Sequence, residues 1–465
     1  MRKTFLLVAV ISSCIHLQAQ VFEKDTLSGG PATNRVRLVY LGDGYMQSEL
    51  STYTTDVNTV NSKLFLASPF KEYRNYFNVY AIRVPSAQSG AKHASSAPDC
   101  PGTSIQPISS PLNYFGSRFD VAGIHRLVVP DSLTKVQAVL SANFPTYHQA
   151  VMIVNSTYYG GSGGWLATST KNTSAAEIAI HELGHSFAGL ADEYWAGPQY
   201  AAEKPNMTAQ SNPSLVKWKN WVGSEDVNVF PYSGSPVWFR PVTGGKCKME
   251  VLGPAFCAVC REAIAERIHQ LVKPVDGFTP STPTVASTGS PMGFRTLLLP
   301  PDPNTLKITW KLNGNVVATA IDTVTILPAQ LAPGNNILMA TITDTTQLTR
   351  ADNHFTSHNY VVEWSITTPT GVITPELYAA RLKVFPNPFR DILFINYEIT
   401  RTSDVTIELF TVDGRLVQAL RQPRRQPGKY TDEMKISGSI ADGIYLLRFS
   451  LNGNGITEEK IRIGK

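Results

Sequence analysis

Residues 181–194 read H-E-L-G-H-S-F-A-G-L-A-D-E-Y: two histidines four apart, a glutamate directly after the first, then a glycine and two acids. On an α-helix, His181 and His185 lie one turn apart on one face, so both imidazoles can reach a single metal ion. Glu182 sits beside them, placed to take a proton from a metal-activated water as general base and return it to a leaving amine. Zinc hydrolases are built this way, with three protein ligands and a fourth position for water whose pKa falls to about 7.

The third ligand is sought next to the first two. Gly189 is a natural helix stop, after which the chain can turn back toward the histidines. Asp192 is the expected ligand and Glu193 the alternate, since a carboxylate oxygen is an accepted zinc donor. A different architecture would take a glutamate from a second helix, with Glu203, Glu262 and Glu266 as candidates. Ahead of the motif, Ser174-Ala175-Ala176-Glu177 reads as a capping box, and Ala176, Ile180, Leu183 and Phe187 form an apolar stripe opposite the ligand face. Trp165–Thr170 alternates like an exposed edge strand behind the glycine loop Gly160–Gly164. Such an edge either holds an extended peptide or serves structure alone.

The 465 residues suggest about three domains. With 43% hydrophobic and 17% charged residues, and a thinly spread formal charge of +5, no nucleic-acid surface is indicated. Residues 1–19 have the charged start, apolar middle and small-residue end of a secretory signal peptide. Ile11-Ser12-Ser13-Cys14 is the alternative, a lipoprotein cleavage box. No stretch is long and apolar enough for a transmembrane segment. Once the signal is removed, Cys100, Cys247, Cys257 and Cys260 remain, an even number in an exported chain, so two disulfides are expected.

Periodicity gives strands at Arg35–Leu41, Tyr76–Val84, His125–Val129 and Ala150–Val154, with helices at Ser48–Leu66, Leu133–Ala142 and Arg261–Leu271. This alternation is that of a mixed α/β domain over residues 20–275. Residues 276–290 read as a linker. Residues 291–368 read as an immunoglobulin-like β-sandwich, with short strands and an Asn313-Gly314 hairpin signal. His354 and His358, in a polar connection, read as surface residues. A second linker spans residues 369–381, and residues 382–465 return to short strands.

Two resemblances follow from ordered motifs. Val384-Phe385-Pro386-Asn387-Pro388-Phe389, Asp413-Gly414-Arg415 and Gly443-Ile444-Tyr445 make the C-terminal part similar to the sorting domain of proteins exported by the type IX secretion machinery. That resemblance implies a protein released outside the cell or attached to the outer-membrane surface.

Leu41-Gly42-Asp43-Gly44-Tyr45, Ser89-Gly90-Ala91, the 181–194 block, Cys247-Lys248-Met249 and Phe256-Cys257-Ala258-Val259-Cys260 resemble the immunoglobulin A metallopeptidase family over about residues 34–275. The resemblance implies a metzincin-like fold and a Zn2+-dependent endopeptidase acting on extracellular proteins. His181 and His185 would be ligands, with a third from the Asp192-Glu193 pair, and Glu182 the catalyst. In the metzincin pattern the glycine falls seven residues after the first histidine and the third ligand ten after. Here Gly189 and Asp192 are each displaced by one. Cys247-Lys248-Met249-Glu250 resembles a methionine turn, which puts Met249 beneath the metal unless it is simply core. Family members often carry a further β-rich domain ahead of Gly42-Asp43-Gly44-Tyr45, and this chain has almost nothing there. The alternative function is an inactive surface adhesin or glycan-binding protein that uses the β-sandwich.

Overall fold

A computed structural model describes residues 20–30, 33–232, 234, 237–368, 382–436 and 440–464. The expected signal peptide, with Cys14, and the 369–381 linker lie outside the described residues. The chain forms two compact units. The first is Met1–Pro274 joined by Leu299–Leu306 and Asp344–His358; the second is the remainder.

The first unit is mixed α/β. Its sheet comprises β1 (Glu23–Ser28), β2 (Val36–Asp43), β3 (Phe77–Arg83), β4 (Gln149–Val154), β5 (Gly161–Ser162) and β6 (Leu166–Thr170), in the order β1-β3-β2-β4-β6-β5. Strands β3, β2, β4 and β6 are parallel, while β1 and β5 run antiparallel at the two edges. The central strands are near-continuous apolar runs because both faces are covered. One face packs on α1 (Leu50–Leu64), α3 (Ala175–Ala188) and α4 (Ala258–Leu271) through Val57, Val151, Ile180, Leu183 and Ile264. The other packs on α2 (Leu133–Asn143) through Val136, Leu140, Met152 and Val154.

Three expectations need correction. Leu166–Thr170 is not an exposed edge: every residue of β6 is buried, because β5 pairs on its outer side. His125–Val129 forms only isolated bridges, to Arg118 and Gly161. Ser174 occupies the N-cap position of α3, but its side chain makes no capping bond. Glu177 is drawn instead to the Lys248 ammonium and the Gly253 N–H, and Asn172 accepts from Ser174 N–H at 3.0 Å.

In the second unit, strands Thr284–Ala286, Asn359–Thr368, Gly334–Asp344, Leu306–Leu312 and Asn315–Thr319 form one sheet. Thr323–Ile326, Met292–Leu298 and Val275–Thr279 form another, and Phe294 of this sheet packs on Trp364 of the first. Val275–Thr279 and Thr284–Ala286 are therefore strands in a stretch whose composition suggested a linker. Asn313 and Gly314 both take positive φ, as the hairpin signal requires. Residues from Lys383 onward form a three-stranded and a four-stranded sheet around Leu393, Ile407, Leu447 and Phe449.

Candidate active site

Helix α3 presents the motif. Ile180, Leu183 and Phe187 are buried against the sheet, at about 1.5–3 kcal/mol of hydrophobic stabilisation each. This anchors the face opposite His181 and His185. The helix ends at Gly189 with φ +66°, a left-handed conformation open to glycine without a Cβ penalty. The N–H of Leu190 then reaches back to the Gly184 carbonyl at 3.0 Å, which folds the chain toward the histidines.

Each imidazole is oriented by a backbone carbonyl. His181 Nδ1–H donates to Lys248 O at 2.8 Å and His185 Nδ1–H to Leu190 O at 2.7 Å, which leaves both Nε2 atoms as lone-pair donors. The two Nε2 atoms are 3.2 Å apart, and Asp192 Oδ1 is 3.1 Å from one and 3.2 Å from the other. Three donors at about 2.0 Å around a tetrahedral ion stand about 3.3 Å from one another, so this triangle suits zinc in size and in donor chemistry. Glu193 points elsewhere, into a buried cluster of cysteines. Glu203 pairs with Lys217 at 2.5 Å, Glu262 accepts from Trp221 Nε1, and Glu266 binds His354 and His358, so none of the three approaches His181 or His185.

Met249 is fully buried, with its sulfur against Gly184 between the two histidine turns; a Cβ at Gly184 would come within 2.7 Å of it. The glycine loop closes over the other side. A Cβ on Gly163 would lie 2.8 Å from Glu182 Oε2 and 2.9 Å from the His185 ring, so only glycine lets this backbone pass so near the acid.

The electrostatics follow from burial. Desolvation raises the Glu182 carboxyl above its ordinary range, opposed by the adjoining histidines, and so favours proton uptake. Burial also works against charge on Asp192, but bonds from His181 and His185 hold it well below the usual carboxylate range. For His185, burial is outweighed by the Asp192 bond and charge, and the imidazole is pushed up to about 9.

Sequence reasoning passed over Arg126, Tyr159 and Tyr194, whose charges or dipoles bear on Glu182. Tyr194 stood in the quoted block, but its spacing carries no ligand signal. Arg126 lay in a stretch read as plain strand.

Among the described residues the four cysteines form no disulfide. Cys100 lies beside His93 and Ser95, and Cys247 Sγ is 3.7 Å from Cys260 Sγ, where a disulfide would require about 2.05 Å.

Residues 25–237 match the family model of IgA Peptidase M64, and residues 383–463 match that of the secretion system C-terminal sorting domain. No curated protein matches the chain. Among solved structures it is similar to dimeric latent PorU from Porphyromonas gingivalis, at 14% identity over 40% of this chain and 19% of that one, TM-score 0.18. It is also similar to SGBP-B of Bacteroides ovatus, at 10% identity over 39% of this chain and 43% of that one, TM-score 0.16. The chain thus spans less than half the length of either.

Proposed function

We propose, from the match of residues 25–237 to the IgA Peptidase M64 family model and of residues 383–463 to the secretion sorting-domain model, that the chain is a secreted zinc-dependent endopeptidase of extracellular proteins, metzincin-like in its site. The sorting domain indicates passage through the type IX machinery to the medium or the cell surface. No helix among the described residues is long and apolar enough to cross a membrane.

One observation carries the reading: His181 Nε2, His185 Nε2 and Asp192 Oδ1 converge to within 3.2 Å of one another with Glu182 next in chain. His181, His185 and Asp192 would hold a zinc ion, which would supply a Lewis acid for lowering the pKa of water and polarising the scissile carbonyl. Glu182, made a better base by burial, takes the water proton and passes it to the departing amine nitrogen. Lys248 O and Leu190 O hold the imidazoles in the tautomer that offers Nε2. Arg126 and Tyr194 interact with Glu182 electrostatically and are the candidates to favour negative charge developing on the carbonyl oxygen.

The test is casein cleavage and zinc content of the purified mature protein beside Glu182→Gln. Glu182→Gln is expected to keep its metal and lose at least about 10³-fold in rate, the upper part of the range for general base catalysis. A wild type that holds no metal and cuts no better than the variant would instead fit the adhesin reading.

A further inference from the structure

We propose that Glu193, Cys247, Cys257 and Cys260 form a closed, structural zinc site that fixes the catalytic ligands from behind. All four residues are buried, and one donor atom from each lies within 4.8 Å of the others. A tetrahedral zinc with Zn–S about 2.3 Å and Zn–O about 2.0 Å sets S···S at about 3.8 Å and S···O at about 3.5 Å. Cys247 and Cys260 sulfurs are 3.7 Å apart, and Glu193 Oε1 is 3.2 Å from Cys260 and 3.9 Å from Cys257.

Two further observations point to a cation. Glu193 is wholly inaccessible; Asn206 donates to Oε1 at 2.9 Å, but Oε2 has no hydrogen-bond partner. The neighbouring guanidinium of Arg240 goes to the Glu193 carbonyl and the Glu250 carboxylate, not to the Glu193 side chain. In addition, the N–H groups of Met249 and Cys257 both aim at Cys247 Sγ at 3.4 Å, a convergence that suits a thiolate far better than a thiol. A disulfide would use two of the three sulfurs and leave the third beside a buried carboxylate with no cation. Three thiolates and one carboxylate, each an accepted zinc donor, fill a tetrahedral sphere with no open position, as a structural zinc requires.

The site would act by position. Glu193 follows Asp192 in the chain, and its N–H donates to Met249 O at 2.7 Å. Cys247 precedes Lys248, whose carbonyl orients His181. One ion therefore clamps the turn that carries the third catalytic ligand to the segment that sets a histidine tautomer.

An independent observation assigns a second structural site to His93, Cys100, Asp120 and His125, which also bring four donor atoms within 4.8 Å. His93 Nδ1–H donates to Pro107 O at 2.9 Å and turns Nε2 toward Cys100 Sγ at 3.4 Å and Asp120 Oδ2 at 3.5 Å, with His125 Nδ1 2.8 Å from Asp120 Oδ1. Between Arg83 and Leu133 the chain has no named helix or strand, and Ser95, Asp120 and Ala122 hold positive φ. Such a stretch needs a staple, and this one leads directly into Arg126, whose charge bears on Glu182.

The experiment measures metal by mass spectrometry of the native full-length protein, together with the optical spectrum after exchange with cobalt(II). Wild type is expected to hold three ions and to show a thiolate-to-cobalt charge-transfer band. His181→Ala/His185→Ala should hold two and keep the band, so failure of the catalytic reading stays distinct from failure of this one. Glu193→Gln should release the thiolate-bound ion to chelator at least tenfold faster, and His93→Ala should lower the count by one with the Cys247 cluster intact. If Cys260→Ser does not fold, the spectrum of His93→Ala decides, because the band it keeps then comes from the Cys247 cluster and not from Cys100. Absence of a thiolate band, or a disulfide between any two of Cys247, Cys257 and Cys260, overturns the first site. Unchanged metal content in His93→Ala overturns the second.

Discussion

The first unit contains two pairs of histidines four apart that share a carboxylate, and they are wired in opposite ways. In His181, His185 and Asp192, both Nδ1–H groups are spent on backbone carbonyls and both Nε2 atoms meet at one carboxylate oxygen. In His354, His358 and Glu266, His354 Nδ1 takes Glu266 Oε1 at 2.7 Å and its Nε2 takes Asp344 O at 2.9 Å, while His358 Nε2 takes Oε2 at 2.6 Å. The second set divides the carboxylate between two donors and leaves His354 no lone pair, since both its nitrogens point at acceptors. Spacing alone does not separate the two; the outer hydrogen bonds do. The first arrangement gathers lone pairs for a cation, and the second satisfies buried imidazolium charge with a single acid.

The largest effect that would break this contrast is on catalysis. Asp192→Ala is expected to remove the catalytic metal and reduce casein cleavage by more than about 10³-fold, whereas His358→Ala should leave both metal content and cleavage at the wild-type level per folded molecule. Loss of metal in His358→Ala would make the two clusters alike.

A smaller effect concerns stability. Glu266→Ala leaves His354 and His358, which are 1% and 6% exposed, without their shared acceptor. Removing one partner of a buried charged network costs about 3–5 kcal/mol. Thermal unfolding should therefore occur at clearly lower temperature with metal content unchanged. An unfolding temperature equal to wild type would mean that the cluster bears no charge.

Why the sequence separates these regions so unequally is also a matter of wiring. The geometry of the Glu182 block was legible because His181, Glu182, His185, the Gly189 stop and Asp192 are local, and an α-helix converts their spacing directly into geometry. Strands β2, β3 and β4 were legible because strands covered on both faces are largely apolar. His354 and His358 read as surface residues because their polar neighbours hide a partner on α4, far back in the chain. The cysteines read as two disulfides because parity counts sulfurs but cannot see Glu193 among them. Trp165–Thr170 read as an edge because a two-residue strand, Gly161–Ser162, is too short to leave a pattern.

The smallest effect is on the pH dependence of stability, and it sharpens the contrast most finely. In metal-free protein, His185 stands at about 9, above its unfolded value of about 6.5. Its protonation then stabilises the fold fully below about pH 6.5, and that contribution is lost as the pH rises through about 9. A bound cation needs neutral imidazole, so this alkaline limb should vanish in metal-loaded protein. His354 is raised too, because its bonds to Glu266 and Asp344 outweigh burial, and Glu266 is held well below the carboxylate range. Their contribution is complete between the ordinary carboxylate and imidazole values, falling below that window as Glu266 protonates and above it as His354 deprotonates, with or without metal. Unfolding temperatures measured from pH 4 to 10 should thus show one alkaline limb that metal abolishes and His185→Ala removes, and another that only Glu266→Ala removes. If metal leaves the whole profile unchanged, the charge on His185 is not exchanged for a cation, and the two histidine pairs do the same work.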